Sequence, residues 1–379
     1  MSIFGAMKKI FLAFVLLAGA SLLTGCLKDN YDGTETTYQV TRGALVLNAG
    51  SPGDNIDGSL SYISFGDNSI TPNVLENIGS SPSDVFVRGG KVYVASTGEN
   101  AVFVLDKTTF RLIGTISTTA EMGQAEGQSP RRLAACNDKM YVSTSGGYVG
   151  VIDTLSLSIE KKYQVGSYPE GMSVGIKDDI PSLYVANSDN GNGNGSVSII
   201  NLSSGATNEF KNEKISRPLD LAAAGDQFYV LDGGHYDENG IQQEAGIYYV
   251  NGSSVQMLIP NATGMSGVGY DLLTYNAPDD PDKALSYSLY NLNYGLVNPF
   301  YLSRDSSSPI LFPSAISIDS NTGYVMIASQ KEDAGTGKAD KLAPGYVNLY
   351  YGSGQFYKSY SVGVCPLRIA FVHGTIKVQ

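Results

Sequence analysis

The 379-residue chain has few side chains of the kinds that perform acid–base or nucleophilic chemistry. It contains two histidines, His235 and His373, three cysteines, and no Gly-x-Ser-x-Gly motif or Cys/His pair. No second histidine or metal-selective carboxylate spacing accompanies His235, which favours a loop residue over a ligand. The run Asn187–Gly195 lacks the closing glutamate and the spacing of a calcium loop. The sequence therefore predicts no catalytic residue, no metal and no cofactor.

One cysteine, Cys26, has a clear chemical context. Lys8 and Lys9 precede an apolar run from residue 10 to residue 23, and Leu23-Thr24-Gly25-Cys26 follows. About fourteen apolar residues are too few for a permanent transmembrane helix, but they suit a secretory signal. Small residues before a thiol match what lipid transfer and signal cleavage require. We therefore predict a signal peptide at 1–25, lipidation at Cys26 and a polar tether at 26–42, the alternative being an ordinary signal with a chance cysteine. Both Met1 and Met7 precede a complete signal.

Charge and composition narrow the partners. The net charge is −11, the isoelectric point is about 4.7, and no basic stripe occurs, which argues against nucleic acid. The membrane is expected as a partner through the lipid anchor.

A recurring segment, in which a proline precedes alternating apolar residues, dominates the rest of the chain. It starts at positions 82, 130, 169, 218, 313 and 366, so the intervals are 48, 39, 49, 95 and 53 residues. The double interval predicts a degenerate copy near Met265-Ser266-Gly267 and hence seven units. A second strand follows each copy, such as Lys91–Ala95, then a third and a more polar fourth. A β-sandwich or a β-helix would not repeat such a unit seven times, and the pattern predicts an all-β fold, a seven-bladed propeller of four-stranded blades over 43–379.

The two chain ends are expected to share one blade. Residues 44–48, 60–64 and 74–78 would supply its outer strands, and residues 367–372 its inner strand. Residues 375–378 form a further strand that is left over in this count and could share the closing blade. Tyr93, Tyr141, Tyr184 and Tyr229 recur at one strand position and are expected to pack in the core. Cys136 and Cys365 fall at opposite ends of inner strands, so no disulfide is expected.

Candidate ligand-binding residues lie where the inner strands begin. The second residue after each proline should point to the mouth of the central channel, and this column reads Asp84, Arg132, Gly171, Asp220, Ala315 and Arg368. Its charged members could form structural ion pairs or could bind amides and carboxylates. Long loops at the same end would add Tyr168, Tyr236 and Asp232.

The segment Leu183-Tyr184-Val185-Ala186-Asn187 resembles the second strand of YVTN-type propellers, and Val151-Ile152-Asp153 resembles their third strand. The stretch Leu45–Gly50, with Ser59–Tyr62 after it, resembles the lipoprotein branch of that family in Bacteroidota. The absence of tryptophan argues against WD40 and quinoprotein blades.

This resemblance implies a binding protein. Among proteins of this type, the chain is most similar to the surface lipoproteins that capture cobalamin (vitamin B12) and pass it to a TonB-dependent transporter in the outer membrane. Asp29, Asp32 and Glu35 only partly match the surface-export signal, so a periplasm-facing orientation stays open. The other functions considered are capture of haem, a siderophore or a glycan, an envelope interaction scaffold, and a lyase or lactonase.

Overall fold

The computed structural model describes residues 36–75, 77–224, 227–238, 240, 242–268, 271–277, 285–292, 294–303 and 308–378. The predicted signal peptide, Cys26 and residues 26–35 of the predicted tether lie outside these ranges. Within the described ranges, none of the helices has the length and apolar character needed to cross a membrane.

Alternation of apolar and polar residues, broken by Gly, Asn and Asp turns, folds the described chain into seven antiparallel four-stranded sheets. Each sheet is a blade, and the strands are given from the innermost to the outermost. They are blade 1, Pro82–Arg88, Lys91–Ser96, Ala101–Asp106 and Leu112–Ser117; blade 2, Pro130–Cys136, Lys139–Thr144, Tyr148–Asp153 and Ser158–Gln164; blade 3, Pro169–Lys177, Ile180–Asn187, Ser196–Asn201 and Thr207–Phe210; blade 4, Pro218–Ala224, Gln227–Asp232, Gly246–Asn251 and Ser254–Pro260; blade 5, Gly264–Val268, Asp271–Asn276, Ser286–Asn291 and Leu296–Pro299; blade 6, Phe312–Ile318, Val325–Gln330, Pro344–Tyr350 and Phe356–Val364; and blade 7, Pro366–Val378, Thr36–Asn48, Ser59–Ser64 and Ile70–Thr71.

The loops of the described chain contain the remaining short elements. These are an α-helix at Thr118–Met122, 3₁₀ turns at Pro52–Asp54 and Asp189–Gly191, and two small hairpins, His235–Tyr236 with Gln242–Gln243 and Glu332–Asp333 with Lys338–Ala339. The predicted all-β seven-bladed propeller is thus confirmed, and the degenerate unit at Met265 forms the inner strand of blade 5.

The apolar core is divided into seven layers, one between each pair of neighbouring blades. Tyr93 packs between blades 1 and 2, Tyr141 between blades 2 and 3, and Tyr184 between blades 3 and 4. Tyr229 repeats the position between blades 4 and 5. The prediction that these tyrosines pack in the core is confirmed, because each ring covers the neighbouring blade.

Blade 7 joins the two chain ends as predicted, but its outer strand was placed wrongly. The fourth strand is Ile70–Thr71, and the described residues Val74, Leu75, Asn77 and Ile78 lie in bends, turns and loop. Leu75 and Ile78 are buried between blades 7 and 1, with exposed fractions of 4% and 1%. Their apolar pattern therefore reflects burial of a loop between two blades, not a strand.

The two terminal strands are longer than expected. The first begins at Thr36, inside the range predicted as a tether, and the last continues through residues 375–378 to Val378. Thr36 pairs with Val378 and Asn48 with Pro366. Residues 375–378, which the sequence left unplaced, therefore continue the innermost strand of blade 7 and pair with residues 36–39. Backbone pairing over the whole length explains why both ends stay extended.

Candidate ligand-binding face

The loops that join strand four to the next blade, and strand two to strand three, lie on one side of the propeller. We call this side the top face, and the opposite side the bottom face. Backbone hydrogen bonds join the two kinds of loop, for example Thr97 N–H to Ser81 O at 3.2 Å and Gly233 N–H to Arg217 O at 2.9 Å. The inner strands begin here, so the predicted column of residues surrounds the top end of the central channel.

A β-bulge immediately after the proline turns the column residues toward the channel. In blade 1, Pro82 pairs with Ser96 while Asp84 already pairs with Ala95, so one residue on the inner strand has no partner. Blades 4 and 6 show the same shift after Pro218 and after Pro313. An extra residue in one strand re-aims its side chains, which gives the column its common direction.

Asp84 is the best-connected member of the column. Its Oδ1 lies 3.7 Å from Nε of Arg368 in blade 7, and its Oδ2 accepts the backbone N–H of Leu133 in blade 2 at 2.8 Å. Arg132 donates from Nη1 to the backbone oxygen of Ser83 at 2.7 Å. The column thus links blades 7, 1 and 2 through charged side chains and backbone groups.

Asp220 reaches the same cluster across blade 3, where the column residue is glycine. A Cβ placed on Gly171 would lie 2.2 Å from Oδ1 of Asp220. The Asp220 carboxylate therefore occupies the space that a side chain at position 171 would fill. Blade 6 contributes only Ala315, which is buried. Asp84, Arg132, Asp220 and Arg368 together form the charged cluster at the channel mouth.

Burial shifts the acids of this cluster. Desolvation raises the pKa of Asp84 to about 6, although the Arg132 charge and two backbone N–H groups oppose the shift. Desolvation likewise raises the pKa of Asp220 to about 6, against the same arginine. The charge at the channel mouth therefore changes between mildly acidic and neutral pH.

An ion pair that the sequence did not reveal lies beside this cluster. Arg131 and Glu170, each the first residue after its proline, join blades 2 and 3 through a two-pronged contact of 2.7 and 3.0 Å. Glu170 is buried with an exposed fraction of 6%. The same position in blade 1, Ser83, donates to the Pro130 oxygen at 2.8 Å. The residue after the proline therefore links neighbouring blades in these three units. Because the position recurs with the repeat, the sequence alone could have indicated these contacts.

Tyr168 borders a top-face cleft of about 400 Å³, which is lined by the top loops of blade 2 and the ends of its two outer strands. Its backbone has a φ of +54°, and Ser81, Ser129 and Cys365, which also precede inner-strand prolines, share this left-handed conformation. The residues lining the cleft carry amides, hydroxyls, small apolar groups or no side chain, and none is charged: Ala125, Gln128, Ser145, Gly146, Gly147, Tyr148, Gln164, Val165, Gly166, Ser167 and Tyr168.

The loop after the second strand of blade 4 separates two other predicted residues. Tyr236 is 50% exposed, and the Arg217 guanidinium lies 5.3 Å from its ring centroid. Asp232 instead has no exposed surface, because its carboxylate accepts the backbone N–H groups of Arg217 and Gly234. Its position therefore gives it a role in holding this loop and leaves no surface for a ligand.

The histidines and cysteines do not come together. His235 lies 3.8 Å from Glu244 on the surface, whereas Nε2 of His373 lies 2.6 Å from Oδ1 of Asp319 on the bottom face. Cys136 and Cys365 are both free, as expected from their places at opposite ends of inner strands. Within the described residues, no three His, Cys, Asp or Glu side chains are grouped as a metal site would require.

Comparisons with known proteins support the fold alone. No protein-family model matches the chain, and no curated protein matches it. A provisionally named 6-phosphogluconolactonase from Bacteroides fragilis is similar in structure, with a TM-score of 0.56 and 14% identity over 88% of this chain and 98% of that one. Hydrazine synthase from Kuenenia stuttgartiensis gives 0.51 at 14% identity over 71% and 76% of the chains, and the WD40 repeats of RRP9 give 0.51 at 12% over 76% and 81%. Such low identities show that the chain shares a propeller fold with proteins of diverse function.

Proposed function

We propose that this protein is a YVTN-type propeller lipoprotein of Bacteroidota, anchored in the outer membrane through Cys26, that captures cobalamin at the cell surface. In this proposal it performs no reaction of its own and passes the vitamin to a TonB-dependent transporter. Tethering a binding protein beside its transporter raises the local ligand concentration there.

The neutral cleft on the top face is the observation that carries the proposal. A corrinoid is broad and rimmed with carboxamides, so it needs many hydrogen-bond donors and acceptors and few charges. The side chains of Gln128, Gln164, Ser145 and Ser167 supply both kinds of group, and Tyr148 and Tyr168 add flat surfaces. The charged cluster at the channel mouth lies on the same face and could meet polar groups of the same ligand.

The position of the N-terminal strand agrees with capture on this face. Thr36 lies at the bottom end of blade 7, because the strand runs upward to Asn48 beside Pro366. The described chain therefore begins at the bottom face, on the side opposite the cleft.

Calorimetry tests the proposal directly. We expect a soluble form that starts at Thr36, and so keeps the first strand whole, to release or absorb heat saturably with cyanocobalamin at micromolar protein. Haemin, a siderophore and a glycan panel complete the titrations. If cobalamin gives no heat and one of these ligands does, that ligand is the nutrient captured. If none of the ligands gives heat, an interaction scaffold is favoured.

Variants locate the binding surface. Gln128→Ala and Tyr168→Ala should each weaken binding about tenfold, the equivalent of about 1.4 kcal/mol for a lost hydrogen bond in a binding site. Gln256→Ala, on the exposed outer strand of blade 4, is the matched control and should leave affinity unchanged. Arg132→Ala and Arg368→Ala separate the two roles of the channel mouth: weaker binding assigns them to the ligand, whereas lower stability with unchanged affinity assigns them to the fold.

A further inference from the structure

A two-stranded ribbon extends below the bottom face of blade 7. The third strand of this blade ends where Ser64 pairs with Gly43, yet the two terminal strands stay paired from Thr41 opposite His373 to Thr36 opposite Val378. Six residues of strand correspond to roughly 20 Å of length. We call residues 36–42 together with residues 373–378 the ribbon.

The root of the ribbon is held firmly by the neighbouring blade. Asp319, in the bottom turn of blade 6, accepts hydrogen bonds from the hydroxyls of Thr41 and Thr322 at 2.6 and 2.5 Å, and contacts His373 on its other oxygen. Asn321 donates to the Thr41 hydroxyl at 3.2 Å. The ribbon is thus fixed at its root by the bottom turn of blade 6.

The chemistry of the ribbon differs from that of the rest of the protein. The chain has a net charge of −11, but residues 36–42 and 373–378 contain no Asp or Glu, and they contribute Arg42 and Lys377. Tyr38 and Ile376 are direct cross-strand partners, so their side chains lie on one face of the ribbon. They are 52% and 44% exposed. The ribbon therefore combines exposed apolar side chains with positive charge.

Exposed tyrosines continue this surface along the bottom of blade 6. Tyr351 and Tyr357 stack edge to face with 5.4 Å between their ring centroids, and Tyr324 lies 5.7 Å from Tyr351. Tyr301, 79% exposed, lies beside the same turn, since its backbone oxygen is in contact distance of Gly354. Tyrosine, with an apolar ring and a polar tip, is enriched where protein meets the headgroup layer of a membrane.

We propose that the ribbon is a membrane-contact element, and that its occupant is the anionic headgroup layer of the bilayer in which Cys26 is anchored. The inference rests on the lipid anchor of the proposed function. Nine residues, 27–35, separate Cys26 from Thr36, so the ribbon starts within about 35 Å of the acylated residue even when this segment is fully extended. An aromatic and aliphatic pair with nearby cations is suited to this layer, where each basic residue near an anionic surface adds about 1 kcal/mol. Contact there turns the top face away from the membrane.

Fluorescence tests this contact without background, because the chain has no tryptophan. Tyr38→Trp is introduced into the full chain, and the mature lipidated protein is reconstituted into phosphatidylethanolamine–phosphatidylglycerol vesicles with and without brominated acyl chains. We expect a blue-shifted emission that the brominated lipid quenches. Tyr236→Trp on the top face, 50% exposed, is the matched control and should be neither shifted nor quenched.

The charge is tested in the same preparation. Lys377→Gln in the Tyr38→Trp protein should reduce the quenching, and vesicles of phosphatidylcholine alone should reduce it as well. Equal quenching at positions 38 and 236, or none at position 38 in protein that floats with the vesicles, overturns the ribbon contact but leaves the anchor and ligand capture intact. Protein that does not float has no lipid anchor, and both proposals then lose that support. Calorimetry with cyanocobalamin on the same sample reports ligand capture independently of either result.

Discussion

Replacing Asp84 with asparagine should change how the stability of the protein depends on pH. The Asp84 carboxyl is buried at the junction of blades 7, 1 and 2, with 8% of the residue exposed. Burial raises its pKa from 3.8 to about 6, even though Arg132 and the N–H groups of Leu133 and Val85 favour the charged form. The folded protein thus holds a proton on Asp84 in a pH range where the unfolded chain has lost it.

The direction and size of the effect follow from this difference. An acid with a raised pKa stabilises the fold fully below its unfolded pKa, and this contribution is lost as the pH rises through the folded value. The difference between 3.8 and about 6 is about 2 pKa units, which corresponds to about 3 kcal/mol at 1.36 kcal/mol per unit. The free energy of unfolding should therefore fall by up to about 3 kcal/mol through this group between pH 4 and pH 7.

Urea denaturation of wild type and Asp84→Asn at closely spaced pH values between 4 and 7 measures the effect. The variant should lose this part of the slope, whatever its absolute stability, while the dependence of unfolding on urea stays the same. Asp67→Asn is the control: hydrogen bonds from Ser64 and Ser69 lower the pKa of exposed Asp67 to about 2. Its contribution is lost only below the tested range, so its slope should match wild type. A wild-type slope in Asp84→Asn would refute the assignment of a raised pKa to this buried carboxyl.

Two further predictions concern contacts between blades. Gly171→Ala should lower the melting temperature, because the new Cβ would lie 2.2 Å from the Asp220 carboxylate and 2.6 Å from the Asp220 Cα. A melting temperature equal to that of wild type in calorimetry would contradict this crowding. His373→Ala should lower the free energy of unfolding by about 1.5–3 kcal/mol, the range for a hydrogen bond to a charged group, because Asp319 then loses the partner that ties blade 6 to the C-terminal strand. Amide hydrogens of the last strand should exchange faster in this variant, and unchanged protection there would argue against the tie.

The architecture could be predicted largely from the sequence because a propeller repeats local information. Each unit carries its own proline, its alternating strands and its turn residues, so the period specifies the blade and the number of periods specifies the ring. The tyrosine position was equally readable, since Tyr93 and its equivalents recur at one place in the second strand. Even the weak unit at Met265 followed from spacing, where its own residues carry little signal.

The details of blade 7 depended on contacts between distant parts of the chain. Leu75 and Ile78 have a strand-like apolar pattern, yet they fill the space between blades 7 and 1 as a loop. The early strand could not be recognised from its own residues, because Thr36 and Val378 are paired only after the whole ring has closed.

For the candidate binding face, the sequence determined which residue types stand at the channel mouth, and the tertiary structure decided what surrounds them. The repeat placed Asp84 and Arg132 in one column, but their burial, and hence the raised pKa of Asp84, depends on neighbouring blades. Asp232 illustrates the converse. The sequence predicted it as part of a polar loop, but it is the last residue of a strand and is fully buried by the turn that its own carboxylate organises. Strand period and turn chemistry are local and can be read along the chain, whereas burial and charge pairing arise only when blades far apart in sequence come into contact.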